Sequence, residues 1–299
     1  MSTPLRQVFT GGTGRSGTTI LGELLGHHPK IWMTQPIEIR LLTDADGLLD
    51  LALHVRPASW HDWRGYLDRR RRTRLFIEKM QKKWWYRIGP DGTPRGLHLG
   101  LRETDVEQAM RNFERFGRFN QRCQRLVSDL LDPVAMRHGA SMWVDTDPPN
   151  AMNAHRILRL LPDARVIQVV RDGRDSAASV LKQHWGPNDP MQALDWWRYR
   201  MLRSHNGISK APADRVITIR LEDLLIHDRQ GTYASLLKFL SIDDAPQMRS
   251  FFDTTMTAAN GNPGRWAADI PADQRTAFAD RYEEIWHELH GRGLTLSPL

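Results

Sequence analysis

The 299-residue chain carries a net charge of +7 and a pI near 9.8, with 40% apolar and 26% charged residues. That composition builds a buried core and excludes a disordered or fibrous chain. No apolar run approaches the ~20 residues that cross a bilayer, no leader-like segment opens the chain, and the lone Cys123 excludes a disulfide framework, so a cytoplasmic protein with anionic partners is expected.

Val8-Phe9 reads as the end of a strand running into Thr10-Gly11-Gly12-Thr13-Gly14-Arg15-Ser16-Gly17-Thr18-Thr19, then into the apolar helix pattern Ile20 to Leu25. Strand, glycine turn and helix in that order point several backbone N–H groups and a helix N-terminus at one place, where a phosphate or sulfate is expected. Gly12 and Gly17 stand at P-loop spacing, but Thr18 occupies the position where a nucleoside-triphosphate loop has its lysine. The cation has moved into the loop as Arg15, so the expected ligand is anionic yet less dependent on lysine and metal than ATP. A glycine turn of this kind also serves close strand–helix packing alone.

The first helix is expected to end at Gly26, with Pro29 barring its continuation. A short strand, Ile31-Trp32-Met33, and a turn, Pro36 to Arg40, come next. Strand C-termini of a parallel sheet empty onto one side, which aims Glu38 and Arg40 at the crevice of Arg15. From about 41 to 142 the pattern is helical and irregular, an insertion of helices over the sheet. It holds Arg69-Arg70-Arg71-Arg72-Thr73-Arg74 and Lys82-Lys83-Trp84-Trp85-Tyr86. In order of preference these read as a solvated basic face with aromatic packing, a lid attracting an acidic acceptor, or a surface for single-stranded nucleic acid. Trp60, Trp63, Trp84 and Trp85 line an aromatic pocket or belong to the core.

Ser141 to Val144 is a further strand, followed by Asp145-Thr146-Asp147-Pro148 and a helix to about Leu161. The clearest buried strand precedes Arg171 and ends at Val170. It empties into Arg171-Asp172-Gly173-Arg174-Asp175 and a helix bearing Ser176 and Ser179. Strand, charged turn and helix thus recur, building a second anion site beside the first. Arg174 and Asp175, opposite charges side by side, are expected to satisfy each other. Val216 to Ile219 is the last strand, and Asn260-Gly261-Asn262-Pro263-Gly264-Arg265-Trp266 is a late glycine loop or a plain turn between helices. A helix from about Asp273 to His290 closes the chain. No repeat or linker divides it. The expectation is one α/β domain over 1–299, P-loop-like and doubly wound, with a mostly parallel central sheet and the helical insertion. His27-His28 and His287-Glu288-Leu289-His290 lack metal-ligand spacing.

Gly12 to Thr19, then Arg171 to Ser179 after a buried strand, resemble the two nucleotide-binding signatures of sulfotransferases that use 3′-phosphoadenosine 5′-phosphosulfate. The likeness covers roughly residues 6–40, 143–185 and 215–290 and leaves out the insertion. It implies that donor, its product adenosine 3′,5′-bisphosphate, and no metal. By the resemblance, Gly14, Arg15, Ser16, Gly17, Thr18 and Thr19 hold the 5′-phosphosulfate. Arg171 and Ser179 hold the 3′-phosphate, with Gly264 and Arg265 as a looser match. The N-terminal motif looks most like the tyrosylprotein and glycan sulfotransferases, where a glutamate just past the second strand is the general base. Glu38 occupies that place, with Arg40 beside it as a weaker acceptor-side candidate. A hydroxyl attacking sulfur in line must lose its proton, and a carboxylate within reach takes it. The other reading of Glu38 is a salt bridge to Arg40 or Arg15. The tyrosylprotein enzymes have a lysine where Thr146 stands, so charge on the bridging oxygen falls to Arg15, the loop N–H groups and the Thr146 hydroxyl. The acceptor implied is a small-molecule, glycan or peptide hydroxyl, with no nucleic acid; peripheral contact with an acidic membrane is compatible with the charge. A P-loop kinase or nucleotide hydrolase, and a non-catalytic polyanion binder, are the alternatives.

Overall fold

Val8 and Phe9 are sequence neighbours that end in different cores. Side chains alternate across a strand, and here both faces of the sheet are covered. The computed structural model of the chain describes residues 4–54, 63–89, 92–115 and 118–294. Its strands are β1 (Arg6–Gly12), β2 (Ile31–Met33), β3 (Met142–Asp145), β4 (Arg165–Val170) and β5 (Val216–Arg220). They lie in the order β2-β3-β1-β4-β5, and every pairing is parallel. A parallel sheet needs crossover helices and hides both its faces, which is why β3 reads as the unbroken buried run Met142-Trp143-Val144.

The helices follow in chain order. After β1 comes α1 (Thr18–Gly26). Between β2 and β3 lie α2 (Leu48–His54), α3 (Trp63–Lys79), α4 (Glu103–Arg115) and α5 (Phe119–Arg137). Next are α6 (Pro149–Met152) and α7 (Ala154–Leu160), then α8 (Gly173–Leu181) and α9 (Pro190–Ser209) after β4. After β5 come α10 (Arg229–Leu240), α11 (Pro246–Thr254), α12 (Ala258–Gly261), α13 (Trp266–Asp269) and α14 (Arg275–Gly291). Phe9, Trp143 and Val166 face the insertion, packing with Leu48, Phe76, Trp84 and Leu130. Val8, Val144 and Ile167 face the other way, onto Leu21 and Leu24 of α1 and Leu236 and Phe252 of α10 and α11.

One expectation is corrected here. The single helix foreseen to Leu161 is broken at Asn153, whose φ of −107° and ψ of 11° separate α6 from α7. The Asn153 side-chain amide donates to the Pro149 carbonyl at 3.0 Å, the local competition with helix bonding that asparagine makes. Trp84 is core: it is fully buried and its indole N–H donates to Asp44 at 3.1 Å. Trp60 and the Trp63 side chain lie outside the described residues.

From β1 the chain moves outward on one side to β2 and β3, then crosses back to β4 and β5. The turning point lies between β1 and β4, where Gly12 pairs with Val169. Open parallel sheets hold their ligands just beyond the strand ends at such a point.

Candidate functional site

The loop after β1 is shaped by two glycines. A Cβ on Gly12 would run into the Ser16 hydroxyl and the Val169 carbonyl, so only glycine lets the loop fold back against β4. Gly17 sits at φ +96° before the first turn of α1, with Leu221 2.9 Å from where a Cβ would lie. Ser16 is buried and its hydroxyl has no hydrogen-bond partner among the described residues. Thr18 is buried, while Thr19 and Arg15 are exposed.

At the end of β4, Asp172 caps α8 by accepting from the Arg174 N–H at 2.8 Å. The foreseen pair of Arg174 with Asp175 does not form, because consecutive residues of a helix do not face each other. Arg174 instead binds Asp172 at 2.8 Å and lies over the rings of Trp266 and Tyr282. Asp175 accepts from the backbone N–H groups of Gly264 and Trp266, both at 2.9 Å. The late glycine loop is therefore the turn between α12 and α13, anchored on one buried carboxylate. Arg265 on it is more than half exposed and pairs with Asp269 at 3.3 Å.

The two strand-end loops meet. Arg15 donates through Nε to the Ser179 hydroxyl at 3.0 Å. Arg171 reaches the Arg15 carbonyl at 3.5 Å, the carbonyls of Gly261 and Asn262 at 3.0 and 3.3 Å, and Asp175 at 3.6 Å. Partial burial holds Arg15 below the ordinary arginine range, the like charge of Arg171 adds to that, and Glu38 opposes it. Two crowded cations at a loop of backbone donors make a place for an anion.

Glu38 and Arg40 both adopt left-handed backbone, at φ +61° and +55°. The Glu38 carboxylate accepts from Arg40 at 2.9 Å and lies 3.7 Å from Arg95. Arg87 donates to the backbone carbonyls of Ile37, at 3.4 Å, and Glu38. Arg40 is 3.7 Å from Asp147. Burial works against the Arg40 charge, but Asp147 and Glu38 outweigh it and hold the guanidinium above its usual range. Asp145 and Asp147 are buried, and burial pushes both carboxyls up. Asp145 adds to the rise of Asp147 and Arg40 opposes it. Thr146 between them is also buried; its methyl fills the space a Cβ on Gly22 would need, and its hydroxyl has no hydrogen-bond partner among the described residues.

Three cations of the cleft escape sequence reading. Arg87 and Arg95 belong to the insertion, where no periodicity fixes which way a side chain points. Arg200 on α9 donates to the Thr13 carbonyl and lies 4.9 Å over the Trp196 ring. Trp196 four residues before Arg200 is the one signal of it in the sequence, since residues so spaced share a helix face. Of the Arg69 to Arg74 run, all but Arg72, which pairs with Asp68, line a groove of about 900 Å³ with Phe119 and Arg122, and Arg69 stacks on Phe119 at 5.0 Å.

The sequence model of the sulfotransferase family matches residues 7–246. The chain belongs to the sulfotransferase family. No curated protein matches it. Among solved structures it is similar to the sulfotransferase domain of the curacin biosynthetic pathway, at 15% identity and a TM-score of 0.48, over 97% of this chain and 99% of that one. Sulfotransferase STF1 of Mycobacterium tuberculosis H37Rv gives 15% and 0.47, over 94% and 77%. Mouse sulfotransferase SULT7A1, complexed with PAP, gives 11% and 0.46, over 94% and 85%. Among the described residues of this sulfotransferase no group of His, Cys, Asp and Glu is able to hold a metal ion, and no helix is long and apolar enough to cross a membrane.

Proposed function

We propose that the chain transfers a sulfuryl group from 3′-phosphoadenosine 5′-phosphosulfate to the hydroxyl of an acceptor, with Glu38 as general base. The observation that carries this reading is the meeting of Arg15, Ser179 and Arg171 at the turning point of the sheet, with Glu38 close enough to act on the Arg15 charge. The chain's own residues fit such a nucleotide. Ser16 offers a buried hydroxyl without a partner, Gly12 keeps the loop against β4, and α1 presents its N-terminal N–H groups to the 5′ end. Arg171, with Ser179, serves the 3′-phosphate; Gly264 and Arg265 stand on the turn that Asp175 anchors.

The donor supplies the sulfuryl group: the acceptor oxygen bonds to sulfur, the bond from sulfur to the phosphate oxygen breaks, and adenosine 3′,5′-bisphosphate leaves. Glu38 takes the hydroxyl proton. Arg40 orients its carboxylate through the bond at 2.9 Å. Arg15 and the loop N–H groups meet the charge that gathers on the phosphate oxygen, and Arg200 adds a cation on the Thr13 side of the loop. Thr146, packed against Gly22, is the weakest member of this set. The helices between β2 and β3 form the acceptor side.

Thermal stabilisation tests the reading, since a ligand that binds only the folded chain raises its melting temperature. Adenosine 3′,5′-bisphosphate is expected to raise it more than ATP with magnesium or an oligonucleotide. Preference for ATP with magnesium would turn the assignment to a kinase or hydrolase.

A further inference from the structure

The cleft holds more positive charge than one donor engages. Among the described residues, Arg15, Arg87 and Arg200 have no carboxylate within 4.0 Å. Burial is the largest influence on each, and it lowers all three below the ordinary arginine range. Arg87 and Arg200 are part-buried and no carboxylate touches them, Glu38 and Asp147 acting only from beyond contact, so each is an anion site in waiting. Arg15 is tied to Ser179 and Arg171, and Arg200 to Thr13, so both stand at the β1 loop. Arg87 stands elsewhere. It comes from the insertion and reaches the Glu38 backbone, using one nitrogen, Nη2, for the carbonyls of Ile37 and Glu38. Its Nη1 and Nε groups carry no bond to the described residues. Arg95 approaches from the same stretch, with Nη1 3.7 Å from the Glu38 carboxylate and Nε on the Thr93 hydroxyl at 3.3 Å. Both cations therefore border the carboxylate on the side that the helical insertion contributes.

We infer that Arg87, with Arg95, is the anion-binding part of the acceptor site, so that the acceptor is an alcohol or phenol carrying a carboxylate, phosphate ester or sulfate ester a few bonds from the reacting hydroxyl. This rests on the reading of Glu38 as the base. An anion held by the free edge of the Arg87 fork fixes one end of the acceptor and presents its hydroxyl to Glu38. The guanidinium fork binds planar and tetrahedral oxyanions through paired N–H groups.

The test uses matched pairs that differ only in charge: 4-hydroxyphenylacetate against its amide, glucuronate against glucose, and glycerol 3-phosphate against glycerol. Each is titrated calorimetrically into the full chain saturated with adenosine 3′,5′-bisphosphate. At least one anionic member is expected to bind roughly ten- to a hundredfold more tightly than its neutral partner, the range of a hydrogen bond to a charged group. Arg87→Met is expected to abolish that preference with the bisphosphate affinity unchanged, and Arg87→Lys to keep part of it. Equal binding within every pair overturns the inference and leaves the sulfotransferase reading standing. So does a preference that survives Arg87→Met, or an Arg87→Met variant that loses the bisphosphate, which moves Arg87 to the donor side. Failure of the unaltered chain to bind the bisphosphate removes both readings together.

Discussion

Arg15 and Ser179, 164 residues apart in the chain, are joined by a hydrogen bond of 3.0 Å. One belongs to the loop after β1 and the other to the helix after β4, so the bond closes the crevice at the point where the sheet reverses its winding. Arg171 reinforces it from below by reaching the Arg15 carbonyl. The crevice is thus set before any ligand arrives, and its shape depends on a few charged contacts that substitution can probe.

Arg171→Ala is expected to weaken adenosine 3′,5′-bisphosphate binding by roughly ten- to a hundredfold, the loss of a charge-assisted hydrogen bond. Calorimetric titration measures it. An affinity within twofold of the unaltered chain would remove Arg171 from the nucleotide.

Glu38→Gln keeps the size of the side chain and removes its ability to take a proton. Turnover is expected to fall by about 10²–10⁴-fold, the usual contribution of a general base, while the bisphosphate still raises the melting temperature. A variant that retained most of its kcat would send the search for the base elsewhere in the cleft.

Asp175→Ala removes a fully buried carboxylate that accepts from Gly264 and Trp266 and lies 3.6 Å from Arg171. Two part-buried N–H groups lose their acceptor and Arg171 loses a nearby carboxylate, and the chain is expected to lose about 1–3 kcal/mol of stability. Urea unfolding reads this directly. A loss under 1 kcal/mol would mean that water takes over the bonds.

Stability is expected to respond to pH through Asp145 and Asp147, whose carboxyls burial pushes above the ordinary value of 3.8. Between that value and the raised one, the folded chain keeps a proton that the unfolded chain has released. This contribution is complete below the ordinary value and is lost as pH rises through the raised one, at up to about 1.4 kcal/mol per pH unit for each proton. Urea midpoints taken from pH 4 upward are expected to carry this decline, and Asp147→Asn to flatten it. An unchanged slope in the variant would assign the titration to other groups.

The elements that sequence reading found are those whose chemistry is local. The loop from Gly12 to Gly17 carries its own backbone geometry, and the buried run ending at Val170 announces a strand whose end must bear Arg171. Glu38 followed from its place just after β2. Arg87 and Arg95, between helices, and Arg200, on α9, were not legible, because a basic residue looks the same in sequence whether its partner is water or a carbonyl far along the chain. Asp175 was misassigned for the same reason. Its neighbour in sequence is a cation, yet its acceptor oxygens are taken by backbone groups 89 and 91 residues away.

That separation has a consequence for how the molecule is made. Every strand is already on the ribosome's exit side when Arg171 and Asp175 still lack Gly261, Asn262, Gly264 and Trp266. A nascent chain halted after β5 would own a complete sheet and an unfinished crevice, with a buried acid and a guanidinium both short of partners. The crevice proposed for the nucleotide is therefore complete only once the turn from Gly261 to Trp266 has been made, and that turn is the keystone of the strand-end contacts.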